Sequence, residues 1–579
     1  MKRFCSHAML ATAAALLGST ALATDFFVQP LKPGPVAGTP LGVVTLQASL
    51  DATPADEDVK RKKRRAQRWY LLRRGTQSDT RTDTEGATQP ADSSTNGGEG
   101  SVTIIDSSGA KWVSPRKTMT RRERRIATET PVTSGGNDTG TSASQGTEGS
   151  ATQPGTTSPS APTTGGQAPA PTPVAPSGSA PTAVTGKTWP SVGNLLASGQ
   201  VKGGDRIFLL DGYHGPITIK GYKFASPVVI APMAGAVAHV DSITVRDSSN
   251  IVFQGLKVWA TSVNAGTGAL IRSYPDTSNL AFIDLDVRAV PDSGNYLQWT
   301  QSEWLANQRN GLYIDGNTMT IARNRVTGIY HGIQSLADNA LVEDNIVDGF
   351  SGDGLRANGD DTIVRGNKVQ NCFQINGNHA DGFQSFSIGA NGKPGTGTVR
   401  NMTIENNKIV EWVASRSNPL RCKLQGLSMF DGMYDGFTIR NNLIVSRAYH
   451  GITMNGALNS MIVNNTVVNI DGTSDNWPWI RLSPHKNGTP SQNVTVANNL
   501  VNGNKVSTNA QRGIVETNNV IVRNHASQFV DFKGLDFGLS NPQAAGVDAG
   551  DPQYAPPKDI TGASRPLGKA PDAGAYESF

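Results

Sequence analysis

The sequence predicts an all-β fold, a right-handed parallel β-helix with a long disordered insertion near the N-terminus. Two recurring phrases and their spacing predict it. One phrase begins with glycine: Gly311-Leu312-Tyr313, Gly332-Ile333-Gln334, Gly354-Leu355-Arg356, Gly382-Phe383-Gln384, Gly426-Leu427-Ser428 and Gly451-Ile452-Thr453, with separations of 21, 22, 28, 44 and 25 residues. The other is Asn, any residue, then Val or Ile, at Asn324, Asn345, Asn367, Asn407, Asn442, Asn465 and Asn499. Three residues before each Asn stands an apolar residue: Ile321, Val342, Val364, Ile404, Ile439, Ile462 and Val496. A recurring period of this length marks a repeat architecture.

The physical chemistry of the phrases selects the coil. Runs such as Thr362-Ile363-Val364 and Met461-Ile462-Val463 are β-branched and too short for helices. An Asn after each run tolerates a left-handed bend, and the glycine before the next strand is expected to relax a tight corner. Roughly 22 residues per turn is enough for three short strands and their corners. Strands then pair with the turns above and below, and the Asn side chains are expected to stack inside one corner. A β-sandwich would not put Asn at the same phase seven times, and no 3.6-residue period supports a helical repeat.

Residues 1–23 read as a secretory signal, with Lys2 and Arg3, an apolar run from Ala8 to Leu17, and Ala21-Leu22-Ala23 before the cleavage point. That run is too short to span a bilayer, and no later stretch is apolar enough. The expected protein is therefore secreted or periplasmic, cleaved after Ala23, with no transmembrane segment, and a monomer. Residues 24–52, with Phe26-Phe27-Val28, read as an N-terminal strand and cap. Residues 53–183 carry basic clusters, Lys60 to Arg74 and Arg116 to Arg125, among Ser, Thr, Gly and Pro tracts. So few apolar residues cannot offset the entropy of ordering, and this segment is expected to be disordered. The formal net charge of +5 is concentrated there. Nucleic acid is a poor partner for an exported chain; an acidic polysaccharide is one reading of the clusters, and a solvated insertion without a partner is the other.

The coil is expected over 184–550 and a capping tail over 551–579. Early strands are expected at Asp205 to Leu210, Ile217 to Ile219, Val228 to Ile230, Ile243 to Val245 and Ile251 to Phe253. The segment Asp292 to Asn310 interrupts the rhythm with Tyr296, Trp299 and Trp304. The 44-residue gap holds one Asn phrase, so loops are expected near Ile388 to Thr398 and Val413 to Leu424, with another over Asp471 to Gln492. Cys372 and Cys422 outlast the signal; they either pair, as an oxidising compartment allows, or remain two buried thiols. No Cys/His cluster has zinc-ligand spacing.

These phrases resemble the right-handed parallel β-helix proteins of the pectin-lyase-like superfamily, over roughly Val184 to Phe579. The ending Pro571-Asp572-Ala573-Gly574-Ala575-Tyr576-Glu577 is similar to the closing motif of exported bacterial members. The resemblance implies a polysaccharide-active scaffold shared by lyases, glycoside hydrolases, epimerases and non-catalytic surface proteins, so fold alone does not assign function. Sharper signatures are missing. Asp353 with Asp360-Asp361 is too closely spaced for the polygalacturonase pattern, the epimerase phrase Asp-Pro-His-Asp is absent, and no lyase calcium site is matched.

The repeat itself points to a site. The residues two after each glycine, Tyr313, Gln334, Arg356, Gln384, Ser428 and Thr453, share a phase and should form an outward column. The residues before each glycine, Asn310, His331, Asp353, Asp381, Gln425 and His450, form a second, outward only if each glycine corner breaks the strand alternation. A solvated sheet face is the bland alternative, since outward positions are polar anyway. Paired His and Asp with an Arg, flanked by insertions, favour chemistry. The candidate catalytic residues are His331, Asp353, Arg356, His379 and Asp381. The candidate substrate-binding residues are Gln334, Gln384, Lys423, Asp431, Tyr434, His450, Trp477 and Trp479. The expected reaction is elimination on a uronate-containing extracellular or capsular polysaccharide. Arg356 would neutralise the carboxylate, His379 or His331 would take the C5 proton, and Tyr434, Lys423 or the other histidine would protonate the leaving oxygen. Asp353 and Asp381 would orient the histidines or hold a calcium ion. A hydrolase would instead use the two carboxylates as acid and base, and an epimerase or a non-catalytic carbohydrate-binding protein remains open.

Overall fold

In the computed structural model the described residues are 23–31, 103–105, 111–113, 179–261, 268–506 and 512–579. The signal segment and most of the basic, low-complexity segment lie outside them. The chain divides into two units. Of the unit spanning Val36–Thr156, the described part is an antiparallel pair, Thr103–Ile105 with Lys111–Val113.

The other unit is a right-handed parallel β-helix. Its strands form three long sheets, of 16, 11 and 12 strands among the described residues. Each turn visits all three in order. One turn, for example, runs from Ile363–Arg365 in the first sheet through Lys368–Cys372 in the third to Asp381–Phe386 in the second. Three apolar columns fill the coil. In the first sheet Ile321, Val342, Val364, Ile404, Ile439, Ile462 and Val496 stand in register. In the third, Val326, Val347, Val369, Ile409, Ile444, Val467 and Val501 do the same. In the second, the column is Leu312, Ile333, Leu355, Phe383, Leu427, Ile452 and Ile480. All are buried in one continuous core, so each rung adds about three buried side chains, roughly 1.5–3 kcal/mol apiece.

The corner between the first and third sheets holds the asparagine ladder. Asn345 Nδ2 donates to Asn367 Oδ1 at 2.9 Å, Asn367 to Asn407 at 2.9 Å, and Asn407 to Asn442 at 3.0 Å. The same oxygens accept the backbone N–H of the Asn one turn back. The ladder runs from Asn324 through an eighth member, Asn519. The left-handed residue is not the ladder Asn but the one before it: φ is 56° at Arg323, 55° at Asp344, 57° at Asn406, 54° at Asn441 and 58° at Asn498. In the later turns this outer residue is itself Asn, and its side chain holds the C-terminal tail. Asn441 donates to Lys558 O at 2.7 Å, Asn464 to Asp572 O at 3.0 Å, Asn498 to Asp551 O at 2.9 Å and Asn518 to Ala549 O at 2.8 Å. The tail thus folds back along the coil, locked by the buried Arg565–Glu577 pair at 3.1 Å.

The repeated glycines serve a different purpose from the one expected. None of the six adopts a positive φ. A Cβ at Gly354 would strike Val369, one at Gly382 Ile409, and one at Gly451 Val467. The third-sheet column occupies that space, so glycine is required by packing. At the other end, Asp25–Val28 pairs with Arg206–Leu209, and the helix Val192–Ala197 buries Leu195 and Leu196 in the core. The interrupting segment packs Tyr296, Trp299 and Trp304 onto Phe373, Ile375 and Trp412. Cys372 and Cys422 are joined by a disulfide, which ties the swollen turn to the coil. The same loop is pinned by the buried Glu411 carboxylate, which takes Arg421 Nε at 2.8 Å and Arg447 Nε at 2.7 Å. Among the described residues no helix is long and apolar enough to cross a membrane.

Candidate functional site

The second sheet carries both polar columns on one outer face. Across each Gly-apolar corner two consecutive residues turn inward, so the residues on either side of the pair both face out. Side chains three apart therefore touch: Arg356 pairs with Asp353, Gln384 Nε2 donates to Asp381 Oδ2 at 2.8 Å, and His450 Nδ1 meets Thr453 Oγ1 at 2.7 Å. Strict alternation would have buried one of the columns.

Arg356 stands at the centre. One Nη grips Asp353, the other donates to Gln334 Oε1 at 3.0 Å, and the guanidinium lies 5.3 Å from the Phe386 ring. Arg356 Nε and Gln334 Nε2 find no acceptor in the protein. Both are covered by their neighbours, so what Arg356 offers outward is the exposed part of its guanidinium. Asp353 is itself buried, and its Oδ1 accepts the backbone N–H of Asp381 at 3.2 Å.

Asp381 is 1% exposed and accepts the Ser428 hydroxyl at 2.6 Å. Burial, then the neighbouring Asp353 charge, raises its carboxyl well above the usual range. His331 Nδ1 accepts the backbone N–H of Asp353 at 2.9 Å. Burial pushes its imidazole down to about 4, against the pull of the Asp353 carboxylate 3.4 Å away. A backbone N–H is always a donor, so neutral His331 must carry its proton on Nε2. Neither nitrogen then has a free lone pair, which removes His331 as the base and makes it a fixed donor.

His379 is exposed, two residues before Asp381. Lys423 is exposed two residues before Gln425, and Asp381 pairs with Gln425 in register. The two occupy equivalent places on adjacent rungs. His450 lies farther along the face, beside Tyr449, Phe430 and Trp479, at ring distances of 4.3, 4.9 and 5.8 Å. Burial, then Arg481 and His379, push it down to about 3. Trp477 is 41% exposed on the preceding loop.

Two nominated residues stand elsewhere. Tyr434 is fully buried in the core, its hydroxyl donating to Ser385 O at 2.9 Å, so it neither binds substrate nor donates a proton to it. Asp431 lies at the far end of its strand and pairs with Lys486. The calcium option does not fit the donors: Asp353 is spent on Arg356 and Asp381 on Ser428 and Gln384. Among the described residues no three His, Cys, Asp or Glu side chains gather as a metal requires. Sequence reading missed Arg272 and Arg481, which continue the Arg356 column in register on either side. Their strands lack the glycine phrase, and only the pairing reveals their phase.

The model of the right-handed beta helix region family matches residues 207–467, and the chain is a right-handed parallel β-helix protein. Its coil is similar to a pectate lyase (17% identity, TM-score 0.37, covering 66% of this chain and 90% of that one). It is also similar to a mannuronic acid specific family 6 lyase from human gut microbiota (15%, TM-score 0.31, 54% and 80%). A third likeness is to the A-module of a mannuronan C-5 epimerase of Azotobacter vinelandii (16%, TM-score 0.28, 57% and 86%). A search of curated proteins found no match.

Proposed function

We propose that this protein is a lyase acting on a uronate-containing polysaccharide at the outer face of the second sheet. The observation that carries the reading is Arg356, held by Asp353 and Gln334 and still partly exposed on the outer face. A planar guanidinium with a neighbouring amide suits a sugar carboxylate. Neutralising that carboxylate is what makes the adjacent C5 proton removable. His379 takes the proton, the C4–O bond breaks as a C4–C5 double bond forms, and Lys423 protonates the departing oxygen. Burial and the Asp353 charge raise the Asp381 carboxyl, which lessens the like charge that an incoming carboxylate meets there. Gln384 and neutral His331 supply hydrogen bonds to the sugar.

A hydrolase is the second reading, favoured by two acids, Asp353 and Asp381, standing on adjacent rungs of the face, with Asp353 Oδ1 accepting the Asp381 N–H at 3.2 Å. Asp353 is tied to Arg356, which weakens it as base or nucleophile. Incubation with polygalacturonate and with alginate separates the two. The lyase shortens a polymer and creates an ultraviolet-absorbing unsaturated end. Shortening without absorbance means the hydrolase, and no shortening of either polymer means the reading is wrong.

A further inference from the structure

The outer face of the second sheet extends well beyond Arg356 toward the N-terminus. On its strands Ile217–Lys220, Ile243–Arg246 and Ala269–Arg272, Lys220 stands opposite Arg246, and Thr244 opposite Arg272. Lys220, Arg246 and Arg272 are all exposed. Two of them enclose one aromatic ring. The Arg246 guanidinium lies 3.5 Å from the centre of Tyr274, and the Arg272 guanidinium 4.6 Å from it and 5.2 Å from Tyr313.

Gathering guanidiniums is unfavourable unless something balances their charge. Among the described residues neither arginine has an ion-pair partner. The nearby carboxylates lie outside ion-pair distance of the two guanidiniums: Asp247 pairs with Lys223 at 2.7 Å, and Asp315, which accepts the Gly316 N–H at 2.8 Å, attracts Arg272 only from farther off. The tyrosine faces orient the guanidiniums without neutralising them, so the edges of both forks remain available for an anion. The arrangement is continuous with the site already described. Arg272 pairs in register with Tyr313, Tyr313 with Gln334, and Gln334 with Arg356. Arg272 and Arg356 thus lie on one column, three rungs apart, about 14 Å at the usual strand spacing.

We propose that Arg246, Arg272 and Tyr274 form an outlying anion subsite that binds a carboxylate of an acidic polysaccharide lying along the coil axis. The inference rests on the substrate class under Proposed function but not on any catalysis. Two charge-assisted contacts on an exposed surface are enough to weaken binding roughly tenfold when lost.

The test is gel retardation of the full chain in polygalacturonate and in alginate, with dextran as neutral control and heparin as a sulfated one. Wild type is compared with the Arg246→Gln/Arg272→Gln double variant, whose melting temperature should match because both side chains are exposed. The expected result is retardation of wild type in at least one polyuronate, roughly tenfold weaker in the double variant, and none in dextran. Equal retardation of the two proteins overturns the subsite. Retardation in heparin alone, or in neither polyuronate, overturns the assigned ligand. Loss of retardation in the double variant of a protein that cleaves nothing supports the subsite while refuting the lyase.

Discussion

His331 Nδ1 accepts the backbone N–H of Asp353 at 2.9 Å, and this contact sets the tautomer of the histidine at the centre of the polar face. It joins adjacent rungs of the second sheet, so it belongs to the folded coil and vanishes on unfolding.

Burial lowers the His331 imidazole from 6.5 to about 4, with Asp353 opposing and Arg356 assisting. The unfolded chain therefore binds a proton that the folded chain refuses, and His331 costs stability as pH falls from about 6.5 toward 4. His450 acts in the same direction, whereas Asp381, with a raised carboxyl, costs stability as pH rises above its unfolded value. His331→Asn keeps an acceptor for the Asp353 N–H and removes the titration. Its melting temperature should fall less than that of wild type between pH 6.5 and 4. Parallel curves would show that His331 is not held neutral by the fold.

Asn367 makes four side-chain hydrogen bonds inside the ladder: its amide donates to Val342 O and Asn407 Oδ1, and its oxygen accepts from Asn345 N and Nδ2. Asn367→Leu would strand the Asn345 N–H and the Val342 carbonyl in a buried corner. The expected loss is roughly 3–5 kcal/mol, read from the denaturant midpoint. An unchanged midpoint would mean the ladder adds nothing.

Gly354→Ala should destabilise by about 1–3 kcal/mol through overpacking against Val369. Adding Val369→Ala should recover part of that loss. Gly377→Ala, whose Cβ meets nothing within 4 Å, serves as the silent control. If Gly354→Ala is as silent as the control, the glycine column is not a packing requirement.

The coil was legible because each turn repeats its demand: an inward Ile or Val, then Asn, at one phase from Ile321 to Val496. The candidate site was legible only in part. Asp353, Arg356 and Asp381 fell together because their phase follows the glycines. Tyr434 was misplaced because it sits in the swollen turn, where no repeat sets its phase; pairing with Ala457 places it inside. The reason for the glycines was hidden, since the crowding comes from another sheet. The same holds for the outer asparagines: doublets such as Asn441-Asn442 and Asn498-Asn499 are visible, but that the first anchors the tail depends on where residues 549–572 run.

The most direct test of the account is the rate at which ultraviolet-absorbing ends appear on a polyuronate, wild type against Arg356→Lys. Lysine keeps a cation beside Asp353, so the melting temperature should change little, but it lacks the fork that reaches Gln334 and, in the proposed reaction, a sugar carboxylate. The account predicts absorbance from wild type and a rate lower by about 100-fold in the variant. Equal rates, or cleavage without absorbance, would contradict it.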